Sequence, residues 1–208
     1  MAPRAKKKKS DGIPKGSAAS TIDKEDVKKL KAYLKEKNFR DYVLFVFNLN
    51  VGLRASDLLT LKCNQVFDKR WTPKEVTNII EQKTGKKREL YFNKQARDIL
   101  RSYRKLYFET LEYDGYLFPS NKKNQGEGHL TVSSLDRILR EAKNHLGWQS
   151  KYTLSSHSMR KTFGNSLYKK RVPVEIIQEI FNHSDIKTTK LYLDINRDER
   201  IKAYRKIE

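Results

Sequence analysis

Cysteine is nearly absent from this sequence: Cys63 is the single one in 208 residues, so no intramolecular disulfide can form and a reducing compartment is the natural setting. A lone thiol of this kind is expected to pack as a small apolar side chain. Four histidines accompany it (His129, His145, His157 and His183), yet none has the tight paired spacing of a zinc site. HExxH and Walker-type glycine motifs are missing as well, so neither a metal nor a nucleotide cofactor is expected. Long apolar runs are also lacking. The longest, Tyr42 to Val51, has ten residues and is interrupted by Asn48 and Asn50, which suits a buried helix and falls far short of a bilayer span. With no secretory leader legible, a cytoplasmic protein without a membrane partner is expected. Acidic residues are the other deficit. They number 25 against 45 Lys and Arg, a formal net charge of +20, and the sequence pI is near 9.9. That excess points to nucleic acid, whose phosphates attract Lys and Arg with little regard to base sequence.

What is present divides into recognisable segments. A chain of 208 residues can bury a substantial core as one domain. Residues 1–20 hold Arg4 and the run Lys6 to Lys9, then Gly, Pro, Ser and Ala, which predicts a disordered basic arm. Its composition suits a solubilising tail as well as an arm lying in a DNA groove. The stripe Val27, Leu30 and Leu34 predicts a helix from near Asp23 to near Asn38, with Asp26 at the third helical position of a capping-box pattern. Asp41 to Asn50, apolar almost all round, reads as a central buried helix that Gly52 ends. Arg54 follows at once, and Ser56 or Asp57 is placed to cap a short helix bearing Leu58, Leu59 and Leu61.

Val66-Phe67 and Thr77 to Gln82 have strand character, and Asp68 to Glu75, with Trp71 and Pro73, reads as a longer connection. Arg88 to Phe92 then pairs back across Lys83-Thr84-Gly85-Lys86-Lys87 as a β-hairpin, which sets Lys83 at the end of the incoming strand. Taken alone, such a basic tip faces either a nucleic-acid backbone or only water. Amphipathic helices are predicted over Lys94–Phe108 and Thr131–Leu146, with a mobile loop at Asn121–Gly128 between them. His129 and His145 have no motif around them and read as ordinary surface or capping histidines.

The last fifty residues gather groups that hold, protonate or attack a phosphate. His157 to Lys170 should be helical, and their spacing puts His157 and Arg160 on one face. After Pro173, the residues Val174, Ile176, Ile177, Ile180 and Phe181 mark a helix that ends near Asn182 and His183; Thr188 to Tyr192 start the next. Any one of these His, Arg or Tyr residues is more often structural or solvated than catalytic. Jointly they carry a resemblance. Gly52-Leu53-Arg54-Ala55-Ser56-Asp57-Leu58-Leu59 resembles the first arginine box of the tyrosine recombinases, the phage integrase family, and Lys83-Thr84-Gly85-Lys86 resembles their hairpin lysine motif. His157-Ser158-Met159-Arg160-Lys161-Thr162-Phe163 resembles their His-x-x-Arg box. His183, followed nine residues later by Tyr192, is similar to the final histidine and nucleophile. The six positions match in the family's order across roughly residues 22–195. Two departures stand out: Asn182 replaces the glycine usual before the last histidine, and the Trp71 segment lengthens the sheet connection.

The resemblance implies a mainly α fold with a small antiparallel β-sheet, a catalytic domain over residues 21–195, and a helical tail at 196–208 that docks on a neighbouring protomer or frays in solvent. It implies a site-specific recombinase, free of metal and ATP, that cleaves and rejoins DNA through a 3′-phosphotyrosine on Tyr192. Arg54 and Arg160 would clamp the non-bridging phosphate oxygens, His183 would bond another, His157 would orient the phosphate or assist proton transfer from Tyr192, and Lys83 would protonate the departing 5′ oxygen. The side chains suit those roles. A phenol with a pKa near 10 is only about one part in a thousand ionised at neutral pH and needs help to attack; two guanidinium forks place fixed positive charge where negative charge grows.

Lys86, Lys87, Arg88, Lys161, Lys6 and Lys7 are the further DNA contacts expected. The implied partner is double-stranded DNA bearing recombination sites, bound as a homotetramer by a protein monomeric in free solution and associated with the nucleoid. Most members of the family add an N-terminal helical core-binding domain, whereas about twenty basic residues precede the first helix here. That pattern fits a shortened form or the short single-domain members such as fimbrial phase-variation invertases, and a half clamp should hold DNA less tightly. A type IB topoisomerase shares the arginines, lysine and tyrosine, but His157 at the head of its box and the short chain favour a recombinase. A DNA-binding accessory protein with a decayed site is disfavoured by retention of all six groups, and an unrelated basic RNA- or DNA-binding module by their joint order.

Overall fold

The ten-residue apolar run forms the centre of the molecule. In the computed structural model, which describes residues 19–120, 128–193 and 204–205, α2 spans Phe39–Val51 and buries Val43, Leu44, Phe45, Val46 and Phe47. It is apolar all round because it has protein on every side. Asn38 caps it by accepting the Asp41 N–H, and Gly52 ends it in the left-handed region at φ 61°. Around it lie α1 (Lys24–Lys37), α5 (Lys94–Leu106) and α7 (Ser156–Lys169). The first two are amphipathic: α1 turns Leu30 and Leu34 inward, and α5 turns Ala96, Ile99, Leu100 and Tyr103. Between these come α3 (Ala55–Leu59), α4 (Cys63–Val66) and α6 (Val132–His145). Cys63 is fully buried, as its expected packing role requires.

The sheet is a two-stranded antiparallel hairpin, β1 (Val76–Ile80) with β2 (Lys87–Tyr91), in a register running from Val76 opposite Tyr91 to Ile80 opposite Lys87. Alternation sends Ile79 and Leu90 into the core and leaves Val76, Ile80 and Tyr91 exposed. Helices α8 (Val174–Phe181) and α9 (Ile186–Tyr192), with Leu193 just after α9, form a small second core of Ile177, Phe181 and Leu193 beneath Phe163 and Leu167 of α7. Gly164 permits this approach: a Cβ there would lie 2.6 Å from the Phe181 ring. Among the described residues no helix is long and apolar enough to cross a membrane.

Several local expectations change once distant partners are in place. Asp23 is the N-cap of α1 but makes no capping bond with its side chain. Asp26 forms no capping box either, because both carboxylates turn to the Tyr152 hydroxyl and Asp26 also meets Lys151. Helix α3 begins directly after Arg54, so Ser56 and Asp57 lie inside it and cap nothing. Val66 closes a helical turn rather than starting a strand, and Phe67 makes an isolated bridge with Pro73. The Trp71 connection between them is a tight turn in which the Asp68 carboxylate accepts the Arg70 and Thr72 N–H groups. His145 stacks on Tyr33, whereas His129 is buried against Tyr116 and belongs to the interior. Ser20, the last residue of the expected arm, exchanges two hydrogen bonds with Thr153. The rest of the arm, with Lys6 and Lys7, residues 121–127 of the expected loop, and most of the tail lie outside the described residues.

Candidate active site

Arg54 springs from a turn that a buried asparagine shapes. Asn48, with no exposed surface, accepts the Leu53 N–H through Oδ1 at 2.9 Å and donates from Nδ2 to the Leu53 carbonyl at 3.3 Å. The polar residue that interrupts the apolar run therefore closes the chain's exit from α2. Gly52 is required there twice over, by its positive φ and because a Cβ would sit 2.2 Å from the Phe163 ring. Its carbonyl accepts Arg160 Nη1 at 2.7 Å. Arg160 Nη2 donates to the Phe181 carbonyl at 2.7 Å and meets His183 Nε2 at 3.3 Å. One guanidinium, 1% exposed, thus ties the end of α2 to the end of α8, with the Phe181 ring 4.2 Å from its Cζ.

Helix α7 supplies His157 and Arg160 from the same face, and a Ser155–Ser158 capping box starts it. Beyond α8, Asn182 takes the left-handed conformation at φ 51°. Asparagine tolerates that region, so the departure from glycine leaves the turn intact. His183 follows, its Nδ1 3.0 Å from Oγ1 of Thr189, which is fully buried. Arginine is always a donor, so Nε2 accepts from Arg160 and Nδ1 carries the proton toward Thr189. Tyr192 closes α9 with its hydroxyl 2.9 Å from His157 Nδ1.

The electrostatics follow from burial among guanidinium groups. Burial, then the Arg160 charge, holds His183 down to about 4, and the same two causes lower His157. Both rings are therefore neutral at pH 7. Burial raises the Tyr192 phenol, opposed by Arg160 and Arg54. Arg160 is pushed down to about 9, mainly by burial and then by Arg88 and Arg54, which still leaves it protonated at neutral pH. Beneath Arg54 lie two carboxylates. Glu81, with no exposed surface, is 2.8 Å from Arg54 Nη1 and 3.6 Å from Arg88 Nη1. Burial pushes the Glu81 carboxyl up, but Thr84 and Arg54 outweigh it and the net direction is down. Asp57 accepts the Gln82 N–H at 2.8 Å and lies 3.9 Å from Arg54; burial raises its carboxyl. Three guanidinium groups against two carboxylates leave one positive charge in excess, suited to an anion.

Of the six expected catalytic residues, Arg160 meets His183 and His157 meets Tyr192 directly, and the charge of Arg54, two residues after the Gly52 carbonyl that Arg160 holds, reaches all four. Lys83, expected at the end of the incoming strand, lies in the turn itself, three residues beyond Ile80 where β1 ends, and is exposed; its charge reaches His157. Lys86 and Lys87 are exposed on the same tip. Arg88, expected on DNA, is instead 6% exposed, held by Glu81 and the Val51 carbonyl, because alternation along β2 turns it inward. Lys161 is 5% exposed and likewise belongs to the interior, as the residue after Arg160 on an inward face of α7. Asn48, Asp57, Glu81 and Thr189 are site residues that the motifs did not reveal. Each had a faint mark: an amide in an apolar helix, an acid three residues after Arg54, an acid at the foot of a basic hairpin, and a hydroxyl three residues before Tyr192.

Comparison with known proteins gives the family and the fold. Residues 20–199 match the phage integrase family. The chain is 32% identical over 183 residues to a probable integrase/recombinase YoeC of Bacillus subtilis (strain 168), covering 87% of this chain and 92% of that protein. It is 29% identical over 171 residues to tyrosine recombinase XerC of Leptospira interrogans, covering 80% of this chain and 50% of that protein. Among solved structures, XerA recombinase superposes with a TM-score of 0.72 at 22% identity, covering 96% of this chain and 67% of that one. XerH site-specific recombinase bound to its difH substrate gives 0.61 at 21% identity, covering 83% and 49%. The mainly helical fold with its small antiparallel sheet is that of these catalytic domains.

Proposed function

The chain belongs to the phage integrase family, and from that premise we propose that it is a site-specific DNA recombinase whose nucleophile is Tyr192. The observation that carries this reading is the 2.9 Å approach of the Tyr192 hydroxyl to His157 Nδ1, beside an arginine that binds His183 and the turn leading to Arg54. The Tyr192 oxygen attacks the scissile phosphorus while its proton passes to the neutral His157 ring. Charge gathering on the non-bridging oxygens is met by Arg54 and Arg160. Once Arg160 gives up its bond to Nε2 for the phosphate, the Thr189 hydroxyl, which can donate as well as accept, turns its proton to Nδ1, and the other tautomer of His183 presents an Nε2–H to the same phosphate. The P–O5′ bond breaks, Lys83 gives its proton to the leaving 5′ oxygen, and DNA remains joined to Tyr192 through a 3′-phosphotyrosine. Rejoining reverses each transfer, so the phosphodiester energy is conserved in the covalent link.

Double-stranded DNA is the substrate class, as in the XerH complex with difH. Residues 21–195 act as the catalytic domain, Lys86 and Lys87 extend the contact along the DNA backbone, and four protomers assemble on paired sites, the protein being a monomer in free solution and working at the nucleoid in the cytoplasm. The test is covalent capture. Incubating the protein with a randomised pool of nicked suicide duplexes should yield a protein–DNA adduct that resists denaturant, and Tyr192→Phe should yield none. Adduct formation by Tyr192→Phe would refute the assignment.

A further inference from the structure

Glu81 is used by none of the six assigned roles, yet its two carboxylate oxygens look in opposite directions. Oε1 faces Arg54 Nη1 at 2.8 Å and Arg88 Nη1 at 3.6 Å. Oε2 accepts the Thr84 hydroxyl at 2.8 Å, and Thr84 Oγ1 accepts the Lys86 N–H at 3.3 Å. The Glu81 backbone closes the same turn, donating to the Lys86 carbonyl at 3.0 Å and accepting the Gly85 N–H at 2.8 Å. From the other side of Arg54, Asp57 accepts the Gln82 N–H at 2.8 Å. Lys83 is thus carried between two residues, Gln82 and Thr84, each bonded to a carboxylate that also faces Arg54. Residues 82–87 are otherwise exposed, and the tip of a two-stranded hairpin has little packing to hold it in one place. A proton donor must stay within hydrogen-bond reach of the leaving atom to be effective.

We propose that Glu81 is a positioning residue for the general acid: anchored by Arg54 and Arg88, its carboxylate holds Thr84 and so steadies the turn that presents Lys83 to the leaving 5′ oxygen. The inference rests on the reading of Lys83 as that acid. It makes the arginine clamp and the proton donor one mechanical unit, so that the leaving group is protonated where the phosphate is already gripped.

The experiment uses the full chain and one nicked suicide duplex recovered by covalent capture, synthesised with either oxygen or sulfur as the bridging 5′ atom. When the Tyr192 oxygen forms its bond to phosphorus the P–S bond breaks, and the thiolate leaves without a proton because a thiol has a pKa of about 8.5. Thr84→Val removes the link to the turn and spares the Arg54–Glu81 pair. It should slow adduct formation on the oxygen duplex on the order of tenfold, part of the 10²–10⁴ that a positioned acid supplies, and match the unaltered protein on the sulfur duplex, which also shows that it folds. Lys83→Ala should be slowed further and rescued in the same way. Glu81→Gln should lose activity on both duplexes, more on oxygen, because it weakens the clamp as well. Thr84→Val equal to the unaltered chain on oxygen, or equally slowed on both duplexes, would overturn the proposal. Lys83→Ala left unrescued by sulfur would instead remove the general-acid reading, and this inference with it.

Discussion

Asp26 and Asp57 are equally buried, each 3% exposed, but their surroundings push the two carboxyl groups in opposite directions. Hydrogen bonds from Lys151 and then Tyr152 overcome burial and hold Asp26 at about 2. Burial dominates at Asp57 and raises it, with Glu81 repelling it besides. At Asp26 the donors belong to that carboxylate. Asp57 takes its hydrogen bond from the Gln82 N–H and Glu81 from the Thr84 hydroxyl, while Arg54 faces both as an ion-pair partner. Arg54 Nη1, Asp57 Oδ2, Glu81 Oε1 and Arg88 Nη1 are buried and meet only in these ion pairs, without a well-aligned hydrogen bond. Unsatisfied buried groups of this kind are costly and call for an explanation. A phosphate over Arg54 would offer acceptors to the guanidinium N–H groups, whereas the two carboxylate oxygens, being acceptors themselves, would gain nothing from it. One carboxylate is satisfied by its own donors, and the other belongs to a cluster whose guanidinium groups outnumber its carboxylates.

The largest test of that contrast is at Arg54. Arg54→Ala should slow covalent adduct formation by about 10²–10³, the cost of losing one donor to transition-state charge. It should leave the protein folded and cost less than the roughly 3 kcal/mol of an orphaned buried charge, because Arg88 still pairs with Glu81 and the excess positive charge disappears. A variant that unfolds would collapse the distinction. Asp26→Asn should do the reverse. Adduct formation should be unchanged, while stability at pH 7 falls by about 2 kcal/mol, the equivalent of lowering a carboxyl from 3.8 to about 2. Urea midpoints and adduct rates on the same preparations decide both.

A smaller effect should appear with pH. Because the folded carboxyl of Asp26 binds its proton less readily than the unfolded one, its contribution is complete above pH 3.8 and is lost as pH falls toward 2. His183 acts in a different window. Its ring is held at about 4 when folded, against 6.5 when free. Between those values the unfolded chain takes up a proton that the folded site refuses, so stability falls as pH drops from 6.5 to 4. His183→Gln should flatten that slope in urea titrations, and Asp26→Asn should not. The smallest expected effect is with inorganic phosphate, which should raise the melting temperature of the unaltered protein by the equivalent of about 1 kcal/mol or less, and that of Arg54→Ala by nothing measurable.

The elements that periodicity and turn chemistry specify were legible in the chain. Tyr42 to Val51 announced a central buried helix, Gly52 its end, and Gly85 a hairpin; the order of Arg54, Lys83, His157, Arg160, His183 and Tyr192 named candidates, of which the fold gathers all but Lys83. The errors share one origin. Asp26 looked like a capping residue because its true partners, Lys151 and Tyr152, are 125 and 126 residues away. Arg88 and Lys161 looked like DNA contacts because cationic side chains usually face water, and only the folded interior showed which strand and helix faces they occupy.

The sequence alone determined which residues can do chemistry and in what order they occur, because side-chain identity and the periods of helix and strand are local properties. Tertiary structure alone decided how they act together. It joined Gly52, Phe181 and His183 through one buried guanidinium, brought the Tyr192 hydroxyl to His157, and placed Glu81 between the arginines and the turn that bears Lys83. The physical reason is that burial and hydrogen-bond partnership depend on what lies across the core. A charge's strength, a histidine's protonation and a lysine's reach follow from those neighbours, and none of them is a property of position along the chain.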